Sequence, residues 1–62
     1  MHYHVRVWSR AGALLSDCSD ELDDEFTPEV IAFQAQFQHG MCEVGRVDVL
    51  RGAEFTTMQF VA

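Results

Sequence analysis

Residues Thr27 to Gly40 carry the clearest set of helix boundary signals in the chain. Thr27 suits the N-cap, Pro28 takes the first helical position, and Glu29 meets the positive end of the helix dipole. Phe26 before the cap and Ile31 at the fourth helical position have the spacing of a hydrophobic staple. Gly40, after His39, suits the left-handed conformation that closes a helix. These signals predict a helix over residues 28–39. Val30, Phe33 and Phe37 make one apolar stripe along it, the pattern of a core-facing side, with Ala32 and Gln36 opposite. One such helix cannot bury its own apolar face, so the flanking segments must supply a second layer.

Those segments read as strands. Tyr3, Val5 and Val7 alternate with His2, His4, Arg6 and Trp8, giving one apolar and one mixed face. Arg10-Ala11-Gly12-Ala13 reads as a turn, and Ala13-Leu14-Leu15-Ser16 as a short strand returning beside the first. After the helix, residues 42–50 are rich in β-branched side chains. Their alternation slips at Gly45, and a β-bulge at Gly45-Arg46 would repair it. Arg51-Gly52-Ala53 is a turn signal, and residues 54–61 make a last strand. The expected architecture is α+β: a four-stranded antiparallel sheet in ββαββ order with one helix packed on one face, as one domain over residues 1–62. A chain this short buries only about 60% of the surface its unfolded form exposes. Pairing with a copy or a partner would widen its stability margin. The sheet face away from the helix carries His4, Arg6 and Trp8, with one of Phe55 and Phe60. That makes it a candidate contact surface for a homodimer or other partner.

Charge narrows the function classes. Ten acids face four bases, all of them arginine, for a formal net charge of −6. Sequence-independent nucleic-acid binding and adhesion to anionic membranes both need cations, so neither is expected. The long-range field instead favours a basic partner surface. Asp17, Asp20, Glu21, Asp23, Asp24, Glu25 and Glu29 fall within 13 residues, and no Lys or Arg lies between Arg10 and Arg46. No apolar run approaches the roughly 18 residues of a membrane span. Met1 to Arg6 lack the pattern of a secretion signal, so the cytoplasm is the expected setting, with Cys18 and Cys42 as reduced thiols.

Motifs for chemistry are sparse. His2 and His4 share a strand face, and His39 and Cys42 are close in sequence, but neither pair belongs to a zinc-finger spacing. The acids lack the central glycine and alternate oxygens of an EF-hand loop, since no Gly lies between Gly12 and Gly40. No metal or cofactor is expected. A nucleophile, its orienting base and oxyanion donors are not jointly identifiable, so the expectation is a protein that is not an enzyme. The acidic stretch reads either as a solvated connector or as a row of phosphate surrogates for an Arg/Lys groove built for nucleic acid. Leu22 and Phe26, at i and i+4, would anchor it as a short helical turn. The candidate contact residues are those seven acids, with Trp8 for a contact through the sheet face.

A small acidic domain with no catalytic signature, whose helix ends in Gln38-His39-Gly40 before a two-strand hairpin, resembles the phage-encoded anti-CRISPR inhibitors. The resemblance implies binding to a CRISPR-Cas effector, a ribonucleoprotein complex, and exclusion of its DNA. It brings no residue-level motif, so the candidate contacts rest on the charge pattern alone.

Overall fold

β1 (His2–Ser9) is the strand around which the fold is assembled. Its apolar parity buries Tyr3, Val5 and Val7, and each edge of its backbone has a neighbour. The computed structural model describes residues 1–60, so the expected final strand residue, Val61, lies outside the described residues. β2 (Leu14–Glu21), α1 (Pro28–His39), β3 (Val44–Arg51) and β4 (Glu54–Gln59) follow in order. The strands form one antiparallel sheet, β2-β1-β3-β4, with the helix on one face: an α+β fold in ββαββ order.

Local chemistry sets the turns. Gly12, at φ +90°, lets the β1–β2 connection reverse. Gly52, at φ +60°, takes the first central position of the two-residue β3–β4 hairpin, where a type II′ turn needs a positive φ. The Thr27 hydroxyl accepts from the Val30 amide at 3.3 Å, capping the helix as its sequence predicts.

The expected bulge is present. Trp8 pairs with Arg46 and Ser9 with Val44, so Gly45 is the extra residue and Val44 and Val47 both reach the core. Gly45 is also where two backbones meet. A Cβ there would lie 2.8 Å from Arg10 Cα and 3.0 Å from the Ser9 carbonyl oxygen.

Three expectations need correction. The helix buries Ile31, Ala32 and Gln36, not the Val30–Phe33–Phe37 stripe, which is exposed. Tyr3 and five valines (Val5, Val7, Val44, Val47 and Val49) already fill the sheet floor. That floor accepts the short Ala32 and leaves no depth for phenyl rings. Second, β2 is not a short strand over residues 13–16. It pairs with β1 as far as His2↔Glu21, because an edge strand open on both faces needs no apolar side chains to form its ladder. Third, β3 starts at Val44, leaving Cys42 and Glu43 in the turn after the helix.

Gly45→Ala is expected to lower the unfolding free energy by about 1–3 kcal/mol, since two backbones must separate to admit one methyl. Urea denaturation measures this.

Candidate functional site

The seven clustered acids do not form one continuous row. Strand parity separates them first. Asp17 and Glu21 pair with Arg6 and His2 on the sheet face away from the helix, whereas Asp20 pairs with Tyr3 on the helix side. Asp23, Asp24 and Glu25 follow in the connection to α1, and Glu29 stands in the first helical turn.

The two outer-face acids have cation partners. Asp17 Oδ1 accepts from His4 Nε2, and its other oxygen lies 3.3 Å from Arg6 Nε. The hydrogen bond from His4, reinforced by the charges of His4 and Arg6, holds the Asp17 carboxyl below its ordinary value against the opposing effect of burial. Glu21 lies 3.3 Å from His2 Nδ1 and 3.4 Å from the N-terminal amine. The two strand histidines singled out for metal binding are therefore occupied by carboxylates. His39 is half-buried at the helix end, and Cys42 is exposed beyond it.

The remaining five are different. Among the described residues, Asp20, Asp23, Asp24, Glu25 and Glu29 have no cation within ion-pairing distance. Their backbone is nonetheless held. The Tyr3 hydroxyl donates to the Phe26 carbonyl oxygen at 2.7 Å and shares its proton with the Asp23 carbonyl at 3.1 Å. Arg51 Nη1 reaches the Asp24 and Phe26 carbonyls, both at 3.4 Å, while Nη2 lies 3.3 Å from Glu54. The Tyr3 hydroxyl first, and Glu54 after it, push the Arg51 guanidinium further up in pKa. The Phe26 amide closes a tight turn on the Asp23 carbonyl at 3.1 Å, and the Leu22 amide bonds the Met1 carbonyl at 3.0 Å. A β-turn thus stands where a helical turn was expected, with Leu22 and Phe26 half-buried against the core. Tyr3 is completely buried, so the loop is tied to the core.

Sequence reasoning missed the roles of Tyr3 and Arg51. The available signal was a hydroxyl on the apolar parity of β1, because a buried tyrosine must find a partner for its O–H. It also missed a groove of about 140 Å³ beside the loop. Leu22 and Ala35 contribute most of its apolar surface, and Asp20, Gln34 and Gln38 its polar groups.

Trp8 belongs elsewhere. It lies six residues along β1 from His2, about 20 Å from the acidic end. Its Nε1 donates to Asp48 at 3.0 Å, and the Arg46 guanidinium stacks 5.0 Å above its ring. Long polar side chains therefore cover much of the ring. That sheet face also exposes Leu14, opposite Trp8, and Leu50 and Phe55, cross-strand neighbours on β3 and β4.

Among the described residues, no three His, Cys, Asp or Glu side chains converge as a metal site, and no helix is long and apolar enough to cross a membrane. Compared with protein families, curated proteins and solved structures, the chain matches none.

Two outcomes follow. Asp17 has a depressed folded-state pKa, so its contribution to stability is complete above the unfolded-state value of 3.8 and is lost as pH falls through the lower folded value. Thermal melts from about pH 5 to pH 2 should show a steeper acid loss for wild type than for Asp17→Asn. Tyr3→Phe keeps the buried ring but removes the anchor, and should cost about 1–2 kcal/mol. Hydrogen exchange should quicken at Phe26 and Leu22 more than in β3.

Proposed function

We propose that this protein is a non-enzymatic acidic binding protein. Its loop carboxylates occupy a basic, nucleic-acid-binding surface of a bacterial defence complex and so block nucleic-acid entry. The observation that carries the reading is the contrast within residues 20–29. The main chain is fixed by Tyr3 and Arg51, while Asp20, Asp23, Asp24, Glu25 and Glu29 have no cation partner among the described residues. Carboxylates on a fixed backbone lose little conformational freedom on docking, and arginine pairs with carboxylate as it does with phosphate. The neighbouring groove suits the same partner. Its apolar surface can take the aliphatic stem of an arginine, with the guanidinium at Asp20. The partner class, a CRISPR-Cas effector, is the one that the anti-CRISPR resemblance implies.

A second reading has its own observation. Leu50 and Phe55 are exposed side by side on the uncovered sheet face, as in an interaction module that docks through its sheet.

The test is inhibition of target-DNA binding by a purified CRISPR-Cas effector, measured with wild type and two variants. Asp23→Lys combined with Asp24→Lys should weaken inhibition about 100-fold or more, because like charges would then face each other across the contact. Added salt should weaken wild-type binding and affect the double variant less. Phe55→Ala should leave inhibition intact. Inhibition that survives the charge reversal but is lost with Phe55→Ala would overturn the first reading and establish the second.

A further inference from the structure

β4 is an edge strand without the features that usually protect one. From Glu54 to Phe60 it carries a single charge, at its first residue, and no proline. The opposite edge, β2, carries Asp17, Asp20 and Glu21 and has an irregular register near its start. The backbone groups that β4 presents outward can be assigned. The Phe60 amide donates inward to the Gly45 carbonyl at 2.9 Å. Ladder bonds alternate along an antiparallel strand, so Met58, Thr56 and Glu54 also turn toward β3. Phe55, Thr57 and Gln59 then present their N–H and C=O groups away from the sheet.

An apolar surface adjoins this edge. Val30, Phe33, Phe37 and Met41 recur along the exposed side of α1 and the residue just past its cap, with Phe33 55% and Phe37 77% exposed. The Phe33 ring meets Phe60 edge-on, with centroids 5.7 Å apart, which joins the stripe to the end of β4. Charge identifies the occupant. The acids of β2 lie on the opposite edge of the sheet, the 23–25 loop stands at the Arg51 end of the β3–β4 hairpin, and β4 itself carries only Glu54, which pairs with Arg51. A second copy can therefore approach this edge despite a net charge of −6 per chain.

We propose that two copies pair antiparallel through β4, about a two-fold axis perpendicular to the sheet at Thr57. Thr57 then faces its own equivalent, and Phe55 faces Gln59 of the second copy, so all three outward-facing residues complete their backbone bonds. Glu54 faces Phe60 of the second copy, and no acid meets another acid. The operation leaves both helices on one face of an eight-stranded sheet. Each helix rests chiefly on β3, so the helices stand about three strand spacings apart, roughly 14 Å. The phenyl rings of Phe33, Phe37 and Phe60 from both copies occupy that gap. The 23–25 loops stay at the Arg51 ends of the hairpins, and the pairing uses none of their residues.

Sedimentation equilibrium over rising protein concentration tests the proposal. Wild type should reach twice the monomer mass. Thr57→Pro removes an outward N–H that β3 does not use, and should weaken the dimer roughly 30-fold or more while leaving the far-ultraviolet circular dichroism of the fold in place. Phe37→Glu, on a side chain already in solvent, should weaken it as well, and it carries the test if the proline variant fails to fold. Wild type that stays monomeric to about 1 mM, or a dimer that Phe37→Glu leaves unchanged, would overturn the proposal.

Discussion

The hydrogen bond from the Tyr3 hydroxyl to the Phe26 carbonyl joins the two halves of this molecule. Tyr3 sits at the start of β1, buried among the valines of the sheet, and its ring extends from the core toward the connection into the helix. Without that bond, the segment from Leu22 to Thr27 would be linked to the core mainly by the half-buried side chains of Leu22 and Phe26. With it, Arg51 and the turn at Asp23 complete a set of main-chain contacts, and Pro28 enters the helix from a fixed direction. Core packing, helix placement and loop shape are therefore one problem with one solution.

The parts of the fold legible in the sequence are those decided over a few residues. Thr27, Pro28 and Gly40 bound the helix because caps act within one turn. The bulge at Gly45 shows in the valine spacing because strand parity is a local count. The face that α1 buries is decided at a distance, by how much depth the sheet floor has left, and an apolar stripe in sequence does not report that depth. The length of β2 is hidden for a related reason. A strand exposed on both faces carries no alternation, and only its pairing with His2 and Tyr3 defines it.

The candidate site was legible as composition and not as geometry. The sequence shows seven crowded acids. Strand pairing sorts them by giving Asp17 to His4 and Arg6, and Glu21 to His2, which leaves the other five without a cation partner among the described residues. Pairing also gives the sheet two unlike edges: β2 carries Asp17, Asp20 and Glu21, whereas β4 carries only Glu54 and is flanked by phenyl rings.

The loop is held through carbonyl oxygens, and every amino acid has one. Tyr3 and Arg51 grip Asp23, Asp24 and Phe26 by groups that do not depend on what side chains those positions carry. The aspartates and the glutamate at 23–25 are accordingly uncommitted to the fold. Side chains at 23–25 can therefore change while the carbonyl contacts that hold the segment stay in place.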